Sequence, residues 1–209
     1  MGQKVHPFGL RVGISEKWIS NWIASSREEQ VNNVVEDNNI RKFITSRYRL
    51  SGISKIEISR FASRIDVIIY TSQPGVIIGR KGTEIKLLEE EIRNNVLKSS
   101  DKELNVSVIE IKRPDTDAQI VAENIAKQIE MRIPYKRAMR RALQKAVDLG
   151  VKGIRIRCSG RLGGVDVARS EELKFGTIPL STLTAKVKYG FAEANSTVGI
   201  VGVKVWIYE

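Results

Sequence analysis

The sequence holds one cysteine, Cys158, and one histidine, His6, among its 209 residues. A lone thiol excludes a disulfide framework within the chain and a thiolate metal site. A lone imidazole, in what reads as an N-terminal arm, provides neither a serine–histidine–aspartate triad nor a histidine-based zinc site. Cys158 reads as a buried structural thiol and His6 as a surface contact. No catalytic residue, metal or cofactor is expected, so the chain reads as a non-enzyme. Long apolar runs are missing as well. No stretch of roughly 18 or more apolar residues exists, which excludes a spanning helix. The opening MGQKVHPFGL lacks the apolar core and small-residue cleavage site of a signal peptide, so the expected location is the cytoplasm.

What is present in excess is positive charge. Thirty-five Lys and Arg stand against 24 Asp and Glu, a formal net of +11. A charge of that size points to a polyanion, nucleic acid before membrane. Its distribution sharpens the inference: residues 1–38 sum to −1, residues 39–107 to +5 and residues 108–209 to +7. The charge belongs to the body of the protein and not to a basic tail.

Residues 1–26 show no clear period and read as an arm. REEQVNNVVEDNNIRKFITSRY (27–48) has helical spacing, with Val31, Val34 and Val35, then Ile40, Phe43 and Ile44, on apolar stripes. ISKIEISRF (53–61) and RIDVIIY (64–70) alternate and sit close enough to form an antiparallel hairpin. GVIIGRKG (75–82) follows, then a helix with Ile85, Leu88, Ile92 and Val96 on one side, then the strand LNVSVIEIK (104–112). Arg113-Pro114 breaks the pattern and places a domain boundary at 113–117. Beyond it lie a helix from about residue 117, a second over 135–149 and a strand over 153–160. RLGGVDVAR (161–169) reads as a loop, and strands follow in 183–194 and 198–209. The expected fold class is α+β, with residues 1–38 as arm and helix, 39–112 as one domain and 113–209 as an α/β domain of two helices on a mixed sheet.

Gly79-Arg80-Lys81-Gly82 is the first functional candidate. Its spacing fits neither a Walker A loop nor a Rossmann fingerprint. It does fit the GXXG loop of K-homology (KH) domains, which clamps a short single-stranded backbone. The two glycines permit close approach to phosphates, the two cations add charge, and the next helix brings amide donors at its N-terminus. Helix, strand, strand, GXXG, helix, strand is the type II order of that family. Gly160-Arg161-Leu162-Gly163 repeats the spacing, but no amphipathic helix follows it, so it reads as a loop.

YKRAMRRALQKAVDL is the second candidate. At 100° per residue, Tyr135, Ala138, Met139, Ala142, Leu143, Ala146 and Val147 fall on one side. Lys136, Arg137, Arg140, Arg141 and Lys145 fall on the other. A solvated face usually mixes signs through i,i+4 partners, and these are missing within the helix. Like charges on one face cost roughly 0.2–0.5 kcal/mol per pair, a cost that a polyanion removes.

MGQKVHPFGLRVG, PGVIIGRKG, YKRAMRRA, SGRLGG and VGIVGVKVWIY, in that order over nearly the whole chain, resemble the bacterial-type small-subunit ribosomal protein family S-three. The resemblance implies a type II KH domain, a second α/β domain and an N-terminal arm. It further implies a place in the head of the 30S subunit, within the ribosome and not as a homo-oligomer. The implied partners are 16S rRNA, mRNA and the neighbouring proteins S-ten and S-fourteen. The family's basic positions at the mRNA entrance fall on Lys136, Arg137 and Arg140. Lys136 stands where relatives often have arginine, keeping the charge but not the planar fork. Lys4, His6, Arg11, Arg141, Lys145, Arg155, Arg157 and Arg161 are the remaining candidates for rRNA contact. The rival expectations are a free single-stranded-RNA regulator built on one KH domain and, further off, a nucleic-acid enzyme.

Overall fold

The computed structural model describes residues 5–97 and 102–209 and divides into two compact units. One is Trp18–Lys112. The other joins the N-terminal stretch through Lys17 to Arg113–Glu209. No helix among the described residues is long and apolar enough to cross a membrane.

The chain opens with α1 (Pro7–Arg11), a short helix with proline in its first turn and His6 at its N-cap, where Nδ1 accepts from the Gly9 amide. It belongs to the second unit. The first unit begins with the two-residue strand β1 (Ser20–Asn21) and the long helix α2 (Arg27–Arg47). Ser26 caps α2, accepting from the Glu29 amide, while the Glu29 carboxylate reaches back to the Ser25 amide.

Only Ile40 and Ile44 of the expected apolar stripes on α2 are buried hydrophobics; Val31, Val34 and Val35 are each more than half exposed. The N-terminal half of α2 rests on a polar cluster instead. Asp37, 2% exposed, accepts from the Trp22 indole (2.9 Å), the Ser20 hydroxyl (3.0 Å) and Arg60 Nε and Nη2 (2.9 and 2.6 Å). Arg60 Nη1 also reaches the Asn33 side chain and Glu36. This cluster supplies the inward face that the valines would have formed.

The hairpin of β2 (Ile53–Arg60) and β3 (Arg64–Thr71) forms as the alternation requires. The short helix α3 (Pro74–Ile78) and then α4 (Thr83–Asn95) carry the chain to β4 (Glu103–Glu110), which pairs parallel to β3. The sheet order is β1-β2-β3-β4. Ile56, Ile58, Ile65, Val67, Ile69, Ile77, Leu88 and Ile92 form one core with Ile40 and Ile44. The GXXG loop thus leaves a packed body at a fixed point.

In the second unit α5 (Ala118–Glu130) starts at Asp117, whose carboxylate accepts from the Gln119 and Ile120 amides. Helix α6 (Tyr135–Asp148) follows, then β5 (Gly153–Gly160), β6 (Arg169–Gly176), β7 (Val187–Ser196) and β8 (Gly199–Tyr208). The two helices pack on one face of a sheet ordered β6-β5-β8-β7. At Gly190 a Cβ would lie 2.1 Å from the Ala118 carbonyl oxygen, so the glycine lets α5 sit directly on β7.

Two expectations need correction here. The sheet is antiparallel throughout, not mixed. The reason is β6, which occupies 169–176 where no strand was expected and reverses the chain between β5 and β7. It is an edge strand, exposed along most of its length, and RSEELKFG lacks the apolar alternation that marks a half-buried strand.

Cys158 lies fully buried in the core of this unit. Burial, with the Glu171 carboxylate adding to it, pushes the thiol up from 9.0 to about 12. Folding therefore holds the proton. The associated stability is complete below the unfolded value of 9.0 and is lost as pH rises toward 12. At pH 8 the native chain should resist iodoacetamide and become reactive only in denaturant, as mass spectrometry of the alkylated protein would read.

Candidate nucleic-acid interface

The GXXG loop is shaped by three positive-φ positions that flank Arg80. Gly79 has φ 69° and ψ −174°, Lys81 φ 54° and Gly82 φ 76°. A Cβ on Gly79 would lie 2.4 Å from Glu84 Cγ and 3.2 Å from the Glu84 amide nitrogen, so only glycine fits where the loop folds back on α4. Thr83 ties the turn by donating to the Arg80 carbonyl at 3.0 Å. Arg80 and Lys81 are exposed and make no ion pair among the described residues. The result is two free cations at the foot of the 13-residue helix α4, whose first amides lack side-chain caps.

Helix α6 supplies the second basic surface. Ala138, Met139 and Ala146 anchor its inner face in the core, with Tyr135, Ala142, Leu143 and Val147 packed around them. The outward cations differ in what they touch. Arg137, Arg140 and Arg141 are exposed and have no acidic partner among the described residues. Lys136 faces Glu171 at 3.6 Å, a carboxylate that also accepts from the Tyr135 hydroxyl at 2.8 Å. Lys145 faces Asp115 at 3.6 Å. Pairs this exposed contribute only about 0–1 kcal/mol, so a phosphate can replace the carboxylate at little cost. Arg137, Arg140 and Arg141 form the uncompensated part of the patch.

The remaining candidates separate further. Arg157 is exposed on β5, its guanidinium 3.3 Å from the Ser170 hydroxyl. Arg155, beside it on the same face, pairs with Glu172 at 2.6 Å and lies over the Trp206 ring. Arg161 is committed to its own loop, donating to the Val165 and Val198 carbonyls (3.0 Å each) and to Asp166 (2.9 Å). It braces the loop at 161–166 against the β7–β8 turn. His6 is exposed and meets Tyr189 edge-on, ring centroids 4.7 Å apart. Lys4 lies outside the described residues.

Arg11 is a correction. It is fully buried, and its guanidinium donates to the carbonyls of Pro7, Pro179, Leu180, Thr182 and Ala185 at 2.8–3.3 Å. It is the internal clamp that holds α1 to the strap before β7, and its complete burial keeps it from RNA. Sequence reading passed over Trp206 and Lys204, which the register brings beside Arg155 and Arg157, and Phe191, which lies next to Lys204 on its other side. Their alternation was visible, but not which strands would be neighbours.

The described residues contain no group of three or more His, Cys, Asp and Glu able to hold a metal ion. Comparison with known proteins agrees with the two-part architecture. A model described as "KH domain" matches residues 39–116, and one described as "Ribosomal protein S3, C-terminal domain" matches 125–207. Small ribosomal subunit protein uS3 of Agathobacter rectalis is 53% identical over 209 residues, covering all of this chain and 93% of the relative. The uS3 proteins of Clostridium kluyveri and Clostridium tetani are 50% and 49% identical over 209 residues, covering all of this chain and 92% and 93% of those proteins.

Proposed function

The chain belongs to the uS3 family of small ribosomal subunit proteins, and from that premise we propose that it is a constituent of the ribosome's small subunit in the cytoplasm. It is held in the subunit head on 16S rRNA, beside the neighbours S-ten and S-fourteen. The outward face of α6 lines the entrance for mRNA. Arg137 and Arg140, with Lys136 beside them, grip the incoming single strand and disfavour duplex there. No chemical step is involved. The protein biases strand separation and translocation drives it.

The observation that carries this reading is the uncompensated charge on α6. Three arginines stand outward with no acid facing them among the described residues, on a helix whose inner side is locked in a core. Arginine suits phosphate because its planar fork can bind two oxygens at once. Replacing Arg137, Arg140 and Arg141 together by glutamine should lower the salt slope of single-stranded RNA binding by about 2, near 0.7 for each cation removed. Titration at several salt concentrations reads the slope, and an unchanged value would remove α6 from the interface.

A further inference from the structure

We propose that the open face of the antiparallel sheet, opposite α5 and α6, is a stacking platform for a single-stranded segment of ribosomal RNA. The proposal rests on the reading of the chain as a small-subunit constituent.

The helices cover one face through Ile154, Ile156 and Cys158 of β5 and Val201, Val203, Val205 and Ile207 of β8. Alternation turns the intervening side chains to the other face. Register then sets them in two rows across the strands. One row runs Tyr189, Trp206, Arg155, Lys174, and the next runs Phe191, Lys204, Arg157, Glu172. The rings therefore gather toward β7 and β8, and the cations follow toward β5 and β6. Tyr189 and Trp206 are in ring contact at 5.4 Å, and the Arg155 guanidinium lies 5.1 Å from the Trp206 centroid. Phe191, 41% exposed, extends beside Gly202, whose missing side chain leaves the neighbouring position on β8 low.

The chemistry of the face selects its occupant. Four cations (Arg155, Arg157, Lys174 and Lys204) outnumber two acids, Glu172 and Glu193, and one of those acids is already paired with Arg155. The two rows carry no aliphatic side chain. A protein interface has few charges at its centre, whereas this one carries cations among the rings. Exposed Phe191 and half-buried Trp206, with cations beside them on the sheet, suit unpaired bases lying on the rings with phosphates near the cations, while Tyr189, met edge-on by His6, backs Trp206. Duplex is a poor fit, because its bases are not free to stack on the rings. The face is also separate from the α6 patch, which lies beyond the opposite side of the sheet. One unit can hold rRNA on one side and a passing strand on the other.

The test is zero-length photocrosslinking of intact small subunits, with nucleotide adducts mapped on peptides of this chain. Adducts on Phe191 or Trp206 whose RNA sequences as ribosomal are the expected result. Messenger RNA at those residues, a protein crosslinked there, or adducts confined to the GXXG loop and α6 would overturn the proposal. Absence of the chain from the subunit would instead overturn the reading beneath it. In solution, Phe191→Ala in the full chain should weaken oligouridine binding about tenfold, with Phe191→Tyr near the unsubstituted value. Binding of an abasic sugar-phosphate strand should be unchanged by either substitution. Equal loss for both probes would mean that phosphate contact, not stacking, is what the face provides.

Discussion

Replacing Asp37 by alanine should destabilise the Trp18–Lys112 unit by about 3 kcal/mol, the low end of what breaking a buried ion pair costs. The carboxylate and the Arg60 guanidinium are 3% and 4% exposed at their side chains and meet at 2.6 Å. Removing Asp37 leaves the arginine buried with Glu36 and Asn33 as its remaining partners. It also removes the acceptor of the Trp22 indole and the Ser20 hydroxyl. Glu36 is why the expected cost lies at the low end. Urea unfolding followed by tryptophan emission is the suitable measurement when Trp206 of the other unit is replaced by phenylalanine in both proteins compared, which leaves Trp18 and Trp22 of this unit as the reporters. A joint replacement of Asp37 by leucine and Arg60 by methionine should cost less than the sum of the single changes, since neither member of the buried pair is then stranded and Glu36, which loses Arg60, still reaches solvent. A loss below about 0.5 kcal/mol for Asp37→Ala, the level of an ordinary surface change, would show that the cluster is not what seats α2.

Reversing Arg137 and Arg140 to glutamate should weaken the hold on single-stranded RNA at least about fifteenfold at physiological salt. Each lost phosphate contact is worth roughly fourfold there, from the single-strand salt slope of about 0.7 per cation. Both side chains project from the exposed side of α6, so the fold should be unaffected, and the like-charge repulsion along the helix is relieved. In translating ribosomes the expected result is slowed passage through a stable hairpin, with normal speed on unstructured message and normal subunit assembly. Lys136→Glu alone should do less, because Lys136 already shares its charge with Glu171. Equal speed on both messages would take strand opening away from this helix.

How much of this was legible in the sequence follows from the kind of signal each element carries. The β2–β3 hairpin, α4 and α6 have strong periods, and the GXXG loop has a glycine requirement that its positive φ angles explain. These depend on local chemistry alone. Strand β6 had little period to read, because it is an edge strand exposed along most of its length and only Leu173 of it packs on the core. Val31, Val34 and Val35 gave a true helical period but a false inward face. The seat of α2 is polar and is built from Arg60, distant in sequence. Arg11 and Arg161 look like any other surface arginines until the fold brings carbonyls from Pro179 to Ala185, or from Val165 and Val198, around them. A sequence shows how many cations a chain has; which of them are free for RNA is decided by tertiary contacts.

The most direct measurement is sedimentation of a native lysate on sucrose gradients at moderate and high salt, with detection of this chain across the fractions. An integral constituent of the small subunit should migrate with it and stay after the high-salt wash, which strips loosely held phosphate contacts steeply. A free species of about 23.5 kDa at the top of the gradient at both salt concentrations would contradict the account and leave a free single-stranded-RNA-binding protein in its place.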